Sequence, residues 1–393
     1  MKILHLTTFL QGGAGRAITS LALDQYRAGH DVRVVTSETG APGYRNYPAY
    51  LEELSSEGVW VRQIDSMFSR DIAQNLNVVQ FLDGWYRFGH EPAVIHSHAA
   101  TPSLVSLIFA GRRQASTALI QTMHGWGIGK TEAQAANDAA LLTLVDRVVV
   151  ASATAATQMA SLGVPASKIV TVPYGVDEAD ESGLEPRDAE LVSHMAAARS
   201  AGWFVAVCIG TIGQRKNQRL VVEAIRAAGP AARIWCVFIG DGDAEGLQRA
   251  IAETNLTASC TVHGYSASAR HIAAAADVLV LPSRSEGQPL AILEAFADGA
   301  LVIASDIPEL AELVDDGRTG LLFRSNDAAE LARAFARVAE MSRDERDDIR
   351  DRARSLHQER FSASTMARTY LDLYDTALGE RRSRGRAFAA PAA

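Results

Sequence analysis

The chain has 393 residues, of which 48% are hydrophobic and 21% charged, and its formal net charge is −8 at pH 7. This length accommodates two domains of ordinary size, and the acidic balance argues against general nucleic-acid binding. No run approaches the about 18 consecutive apolar residues of a membrane-spanning helix. The opening MKILHLTTF is typical of a strand rather than of a signal peptide. The three cysteines fall in apolar runs and match no zinc spacing, which favours buried thiols and a reducing, cytoplasmic location.

Strand-like and helical segments alternate along the chain, which predicts an α/β protein with parallel sheets. Helices are expected at 14–27 and 101–112, and a new series of strands begins at 203–210. The other predicted strands lie at 2–7, 31–36, 58–63, 93–97, 117–122, 146–151, 168–172, 233–239, 259–263, 277–281, 301–304 and near 321.

An acidic stretch without hydrophobic periodicity, DEADESGLEPRDAE, separates the two series of strands and is typical of a linker. The C-terminal RRSRGRAFAAPAA is basic and then rich in small residues, which favours disorder. The predicted organisation is a domain at 1–178, a linker at 179–202, a second domain at 203–358, a helical segment at 359–380 and a disordered tail at 381–393.

Two acids eight positions apart, Glu286 and Glu294, follow the short apolar strand LVLP in SRSEGQPLAILEAFADG. A helix is expected to open near Pro289, and the loop before it lies at the carboxyl end of a strand, where α/β proteins bind ligands. Glu294 falls among apolar residues and is therefore predicted to be a buried, hydrogen-bonded carboxylate. Two acids above a helix N-terminus suit a ligand with both hydroxyls and phosphates, such as a nucleotide sugar. The alternatives are a solvated loop charge at Glu286 and a structural acid paired with an arginine at Glu294.

The turn GTIGQRKNQ connects the first strand of the second domain to a helix. Its backbone N–H groups, with Arg215 and Lys216, could hold a diphosphate. Lys216 is one of only four lysines in the chain, which favours a site that needs a compact point charge. A solvated helix start is the alternative for Lys216.

The segment GGAGR at 12–16 follows the first strand and is predicted to form a loop before a helix. Glycines allow a backbone to approach a phosphate or a sugar closely. A dinucleotide fingerprint is not met, because Ile18 stands where its third glycine belongs. A tight strand-to-helix turn would use the same glycines.

Two histidine motifs end strands in the first half, HSH at 96–98 and His124 in QTMHGWGIG. A metal site at HSH is disfavoured because no carboxylate or cysteine is adjacent. We expect His98 to face a cleft and His96 to be packed or polar. A neutral imidazole or a backbone carbonyl at His124 could stabilise positive charge on a sugar ring, and a capping or core histidine is the alternative.

The segment PSRSEGQPLAILEAFADGALVIASDIPELAELVDDGRTGLLF resembles the donor-site signature of family 4 glycosyltransferases, and the resemblance extends over nearly the whole chain. It implies the GT-B fold, in which two Rossmann-like parallel-sheet domains face each other across a cleft. It also implies a retaining transfer from a nucleotide-diphosphate sugar to a hydroxyl, without a metal or other cofactor. The family has an arginine directly after the glycine where this chain has Thr211, and Arg215 is the candidate to replace its charge.

The resemblance assigns roles to individual residues. Glu286 would hold sugar hydroxyls, Glu294 the ribose, and Lys216 the diphosphate, while His124 would contact the sugar. The implied sets are catalytic His124, Glu286 and Lys216; donor-binding Gly12, Gly13, Arg215, Lys216, Glu286, Gly287, Gln288, Pro289, Leu290 and Glu294; and acceptor-side Gly15, Arg16 and His98.

The expected partners are a nucleotide sugar and a glycan or lipid-linked acceptor, in cell-surface polysaccharide, lipopolysaccharide or glycolipid biosynthesis. The aromatics Phe68, Phe81, Trp85, Tyr86 and Phe88 favour a core, and their exposure would instead indicate a peripheral contact with the inner face of a membrane. Two other enzymes remain as alternatives: a sugar-nucleotide epimerase of related fold, and an NAD-dependent dehydrogenase. A binding protein without catalytic activity is the third.

Overall fold

A computed structural model describes residues 1–40, 43–65, 70–86, 91–113, 116–125, 130–179 and 184–389. The chain forms two compact units, unit 1 from Met1–Gly175 with Ala363–Ala393 and unit 2 from Val176–Ser362. No helix in these ranges combines the length and the apolar character needed to cross a membrane.

Unit 1 is built on a seven-stranded parallel sheet in the order β3-β2-β1-β4-β5-β6-β7. The central strands are buried and rich in Val, Ile and Leu, as expected for a sheet covered on both faces. Its elements are β1 (Lys2–Leu6), α1 (Gly12–Arg27), β2 (Asp31–Ser37), α2 (Pro48–Ser56), β3 (Trp60–Ile64), α3 (Ile72–Trp85), β4 (Val94–Ser97), α4 (Ala100–Arg113), β5 (Ala118–Met123), α5 (Glu132–Leu144), β6 (Arg147–Val150), α6 (Ala153–Ser161), a 3₁₀ turn (Ala166–Lys168) and β7 (Ile169–Thr171).

Unit 2 repeats this plan with a six-stranded parallel sheet in the order β10-β9-β8-β11-β12-β13. A core of buried aliphatic and aromatic residues from the strands and the flanking helices holds it together. Its elements are α7 (Pro186–Ser200), β8 (Phe204–Ile209), α8 (Gln218–Ala228), a 3₁₀ turn (Pro230–Ala232), β9 (Ile234–Ile239), α9 (Ala244–Glu253), β10 (Cys260–Gly264), α10 (Ala269–Ala274), β11 (Val278–Leu281), α11 (Leu290–Asp298), β12 (Leu301–Ser305), α12 (Pro308–Ala311), β13 (Leu321–Phe323), α13 (Ala328–Glu340) and α14 (Arg343–Arg360).

The α/β class and the two parallel sheets predicted from the sequence are confirmed, and each predicted strand is present with its ends within two residues of the expected position. The order 3-2-1-4-5-6 is that of a doubly wound Rossmann-like sheet. Such a sheet binds ligands where the strand order reverses. In unit 1 this point lies between β1 and β4, and in unit 2 between β8 and β11.

Two segments differ from the expected organisation. Helix α7 occupies Pro186–Ser200, inside the range 179–202 expected to be a linker. Its sequence contains four alanines, the strongest helix former, and Pro186 stands at the first helical position. The helix was not predicted because only two of its hydrophobic residues, Leu191 and Met195, are buried, and two residues are too few to give a visible helical periodicity.

The last helix, α15 (Ala363–Ala389), belongs to unit 1 and continues into the range 381–393 expected to be disordered. Charged contacts hold its later turns, because Arg381 Nε donates to Asp146 Oδ2 over 2.7 Å and Glu380 pairs with Arg147. Residues 390–393 lie outside the described ranges.

Candidate active site

The turn between β8 and α8 is the first of two loops at the point where the strand order of unit 2 reverses. Gln218 closes it: its side chain accepts from Gly213 N over 3.1 Å and donates to the carbonyls of Gly210 and Thr211 over 3.2 Å. Asn217 takes a left-handed conformation with φ 57°. A Cβ on Gly210 would lie 3.0 Å from Cε of Lys216, so the glycine leaves room for this lysine to cross the turn.

The second loop, between β11 and α11, carries Glu286 against this turn. Glu286 Oε1 accepts from Lys216 Nζ and from Ser283 Oγ, both over 2.6 Å, and Oε2 accepts from Arg215 Nη1 over 2.9 Å. The side chains of Glu286 and Lys216 are 4% and 14% exposed, whereas that of Arg215 is 42% exposed. A second bond ties the loops together, since Arg284 N donates to Arg215 O over 2.8 Å.

This cluster keeps the Glu286 carboxylate ionised. Burial would raise the pKa of the carboxyl, but the charge and hydrogen bond of Lys216, with Ser283 and Arg215, hold that pKa below its usual value. The interpretation of Glu286 as a solvated loop charge is therefore wrong, and so is that of Lys216 as a solvated helix start. Both side chains are largely buried, in contact with each other.

The remaining donor-side residues lie in the same loop and in the helix that follows. Gly287 is exposed, whereas Gln288, Pro289 and Leu290 are buried. Helix α11 begins at Leu290 with Pro289 as its N-cap, one residue after the expected start. Glu294 is only half-buried, although the residues around it, among them Leu293 and Phe296, are buried. The prediction of a fully buried carboxylate at Glu294 is therefore wrong, because Glu294 lies with Ala291 and Asp298 on the less buried side of the helix.

In unit 1 the GGAGR segment is not a loop, contrary to the prediction, but the first turns of α1. Gly12 opens the helix with φ +56°, a conformation that favours glycine, and Gln11 is the N-cap. A Cβ on Gly15 would lie 2.6 Å from the carbonyl carbon of Leu10, so this glycine is required by packing. Gly13 lies in the same helical turn, next to Gly12.

The guanidinium of Arg16 makes a bidentate ion pair with Glu53 of α2, with distances of 2.6 and 2.8 Å. It also lies 5.4 Å from the ring centroid of Tyr50. Arg16 therefore joins α1 to α2, and an acceptor role would have to be compatible with this pairing.

Three histidines of unit 1, His5, His98 and His124, are hydrogen-bonded in a row that we call the histidine file. It includes a residue that the sequence analysis did not select, His5. His98 Nδ1 lies 3.0 Å from His124 Nε2, and His98 Nε2 lies 3.0 Å from His5 Nδ1. The file ends at Tyr174, whose hydroxyl is 2.7 Å from His124 Nδ1, and at Gln25, whose Oε1 is 2.8 Å from His5 Nε2.

The fourth histidine, His96, belongs to the same network through the C-terminal helix. Its Nδ1 lies 2.6 Å from the Tyr374 hydroxyl, and its Nε2 lies 2.7 Å from Thr122 Oγ1. Tyr374 also accepts from Gln25 Nε2 over 3.3 Å. His96 is fully buried, as expected for a packed histidine.

Burial keeps all four imidazoles neutral at pH 7. Desolvation lowers the pKa of His5 and of His124 to about 4. The pKa values of His96 and His98 also lie well below the usual range, first through desolvation and then through the neighbouring histidines.

His5, His96 and His98 bring nitrogens within 4.8 Å of one another, a spacing that a metal ion could use. Each of their six ring nitrogens, however, has a hydrogen-bond partner. A metal would have to break several of these bonds, and no carboxylate or thiolate belongs to the cluster. The donor set therefore fits a hydrogen-bond network better than a metal centre.

Sequence reasoning did not select His5, Gln25 or the tyrosines of α15. The available signal was the polar His5 within the apolar strand KILHL. Of the aromatic group, Phe68 and Phe88 lie outside the described residues. Tyr86 is buried, and Trp85 stacks on Trp60 with 4.0 Å between ring centroids.

Solved structures identify the fold class that the two sheets define. HepE of Anabaena, determined in complex with UDP-glucose, is 19% identical and aligns with a TM-score of 0.78 over 96% of this chain and 100% of its own. Sucrose-phosphate synthase of Thermosynechococcus elongatus is likewise 19% identical, with a TM-score of 0.76 over 97% of this chain and 100% of its own. The chain therefore has the GT-B fold of glycosyltransferases, as predicted.

Sequence comparison identifies the family. The description "Glycosyl transferases group 1" matches residues 204–341, and "Glycosyltransferase Family 4" matches residues 11–180. The D-inositol 3-phosphate glycosyltransferase of Nocardia farcinica is 27% identical over 96% of this chain and 89% of its own length. The 2-deoxystreptamine glucosyltransferase of Streptomyces kanamyceticus is 27% identical over 56% of this chain and 54% of its own length. This chain belongs to the group 1, family 4 glycosyltransferases.

Proposed function

We propose that the chain is a retaining glycosyltransferase that moves a sugar from a nucleotide-diphosphate sugar to a hydroxyl acceptor without a metal. The observation that carries the proposal is the contact of Lys216, Arg215 and Glu286 where the strand order of unit 2 reverses. Two cations at this position suit a diphosphate that leaves with negative charge. Since HepE was determined with UDP and with UDP-glucose, a UDP-sugar is the first donor to test.

Each residue of unit 2 has a distinct part in the proposed donor site. Lys216 and Arg215 hold the diphosphate, and Arg215 takes the place of the family arginine that is missing at Thr211. Glu286, kept ionised by its neighbours, is a strong acceptor for sugar hydroxyls. Glu294 holds the ribose, and Gly287, Gln288, Pro289 and Leu290 line the loop and the start of α11.

The surroundings of Glu286 also argue against a double displacement. Its carboxylate oxygens are occupied by two cations and a serine hydroxyl, so it is a poor nucleophile. We therefore assign a front-side reaction, in which the acceptor oxygen bonds to the anomeric carbon from the leaving-group side as the bond from that carbon to the phosphate oxygen breaks. The leaving phosphate takes the acceptor proton.

In unit 1, Gly12 and Gly13 at the start of α1 are assigned to the donor, and Gly15, Arg16 and His98 to the acceptor. His124 is assigned to the stabilisation of positive charge on the sugar ring. The acceptor class we propose is a glycan or a lipid-linked sugar in cell-surface polysaccharide, lipopolysaccharide or glycolipid synthesis. The proposed location is the cytoplasm, with peripheral contact at the inner face of the membrane.

The proposal is tested first by a thermal-shift panel of nucleotides and nucleotide sugars, since a ligand of the folded state raises its apparent stability. Transfer from the ligand that binds is then measured with and without EDTA, and the anomeric configuration of the product is read by NMR. We expect retention of configuration and no effect of EDTA. Glu294→Ala and Glu286→Ala should each cut transfer strongly with the fold intact, and normal turnover in both would refute the assignment. Conversion of the donor without any acceptor would instead indicate an epimerase.

A further inference from the structure

The tautomer of every histidine in the file of unit 1 follows from one residue, Gln25. Its Oε1 is an acceptor, so the proton of His5 lies on Nε2 and Nδ1 of His5 accepts. A neutral imidazole has one donor and one acceptor, so His98 donates from Nε2 to His5 and accepts at Nδ1. His124 in turn donates from Nε2 to His98, and its Nδ1 accepts from the Tyr174 hydroxyl.

The amide nitrogen of Gln25 favours the same tautomer at His96, through the hydroxyl of Tyr374. Gln25 Nε2 donates to the Tyr374 oxygen, so the Tyr374 hydroxyl is available to donate to His96 Nδ1. His96 then donates from Nε2 to Thr122 Oγ1, and Thr122 donates to the Tyr370 hydroxyl. With each of these hydroxyls donating one bond and accepting one, all four imidazoles carry their proton on Nε2. The amide of Gln25 sets this common direction, because turning it over would reverse every bond of the network.

Both ring nitrogens of His124 are used inside this file, which changes what the residue can offer a ligand. A ring with a donor and an acceptor already engaged has no nitrogen left for a sugar unless the file breaks. What remains for ligand contact is the main chain of His124 and Gly125, at the end of β5.

The middle of the file, at His5 and His98, is shielded from water that could replace a lost partner. His5 and His98 are buried, at 0% and 7% exposure. A cavity bordered by His98, His124 and Tyr174 holds only about 10 Å³, at the lower limit for a single water. A removed imidazole would therefore leave the next N–H without an acceptor, and a buried donor without a partner does not keep its geometry.

We propose that His5 and Gln25 are positioning residues that, acting through His98, hold His124 as a single neutral Nε2–H tautomer with its ring fixed, so that His124 acts through its main chain. The effect on catalysis depends on the proposed sugar transfer, whereas the tautomer pattern does not. A fixed ring also fixes the peptide group that follows it. A displacement of such a substrate-contacting group by on the order of 1 Å can cost up to about 100-fold in rate.

The direct test is two-bond ¹H–¹⁵N NMR of the full chain labelled at histidine, with the file assigned by single substitutions. We expect His5, His96, His98 and His124 all to show Nε2 protonated and Nδ1 unprotonated at pH 7. A proton on Nδ1 of His5, His98 or His124 would overturn the proposal.

The activity test compares two substitutions of the same residue. His5→Phe removes the acceptor of His98, whereas in His5→Asn the side-chain oxygen lies near the former Nδ1 and still accepts. For His5→Phe we expect kcat to fall by about 10- to 100-fold, KM for the nucleotide sugar to stay within about twofold, and the His98 and His124 signals to lose their single tautomer. His5→Asn should recover most of kcat and the wild-type signals. Substitution of the exposed His194 to Phe serves as the control and should change neither.

Two results separate this positioning role from the proposed function. A wild-type chain that transfers no sugar refutes the proposed function, and the NMR pattern then still decides whether Gln25 and His5 fix the tautomer. Active wild-type protein with an unchanged kcat in His5→Phe overturns the positioning role alone. If His5→Phe does not fold, the comparison is made with Gln25→Leu, which removes the acceptor of His5 and is expected to lower kcat in the same way.

Discussion

Lowering the pH from 7 to 5 should destabilise unit 1 through its buried histidines. In the unfolded chain a histidine binds its proton near pH 6.5, whereas the pKa values of His5 and His124 are about 4 in the folded protein. Between these values the unfolded state binds more protons, so stability falls as the pH falls and levels off below the folded pKa. His96 and His98 act in the same direction because their pKa values are also lowered.

The loss of stability can be calculated from the pKa shifts of His5 and His124. A histidine displaced from 6.5 to about 4 costs about 2 kcal/mol of stability between pH 7 and pH 5. His5 and His124 together therefore account for about 4 kcal/mol, a large part of the 5–15 kcal/mol that is usual for a folded domain. The carboxyl of Glu286, whose pKa is lowered, contributes stability that is lost only as the pH falls below about 4.5, outside this window.

The assay is hydrogen exchange measured peptide by peptide at pH 7 and pH 5, corrected for the intrinsic dependence of exchange on pH. Amides of β4 and β5 should lose about 1000-fold in protection, the equivalent of 4 kcal/mol. The strands β8 and β11 of unit 2 provide the internal comparison and should change less. His5→Asn removes one titrating ring and should reduce the loss in unit 1 by about 2 kcal/mol. Equal protection at the two pH values, or a loss unaffected by His5→Asn, would refute the reasoning.

Three further outcomes are expected. Glu286→Gln removes the charge that Lys216 and Arg215 neutralise, so the affinity for a nucleoside diphosphate should rise about tenfold by calorimetry while transfer falls; weaker binding would contradict this competition. Lys216→Met leaves the buried Glu286 carboxylate with one cation fewer and should lower the denaturation free energy by about 1–3 kcal/mol, with a matching loss of nucleotide affinity. Gly15→Ala should cost about 1–3 kcal/mol because its Cβ would lie 2.6 Å from the main chain of Leu10. Its control, Gly111→Ala in α4, has no atom within 4 Å of the new Cβ and should stabilise by about 0.5–1 kcal/mol; equal effects of these two alanines would show that packing is not the cause.

The strands and the pairing of Lys216 with Glu286 were accessible from the sequence for different reasons. Short apolar runs between turn residues mark buried parallel strands directly. Lys216 and Glu286 are 70 positions apart, but each follows a strand that was predicted, and β8 and β11 are neighbours in the sheet. Once a Rossmann-like order is assumed, the carboxyl ends of these two strands meet, and so do the loops that they carry.

The histidine network was not accessible in the same way. His5, His98 and His124 come from or follow β1, β4 and β5, which are separate in the sequence. Their contact requires the strand order and also the direction in which each side chain leaves the sheet. The bond between Tyr374 and His96 spans 278 positions and depends on where α15 packs. The start of α1 at Gly12 was not predicted because consecutive glycines usually indicate a turn. Only the backbone shows that Gly12 takes a left-handed conformation as the first residue of the helix.

Both units carry polar side chains at the carboxyl ends of their central strands, but these side chains are charged in unit 2 and neutral in unit 1. In unit 2 the charges of Lys216 and Arg215 are held next to an ionised carboxylate, partly open to solvent. In unit 1 the imidazoles are neutral because they are desolvated and no carboxylate faces them in the hydrogen-bonded file. A charged cluster can exchange its internal ion pairs for those of a phosphate, whereas the neutral file, whose ring nitrogens are already engaged, can only hold the main chain at its end in a fixed geometry. This difference, rather than the fold that the units share, separates the chemistry that each unit can offer a ligand.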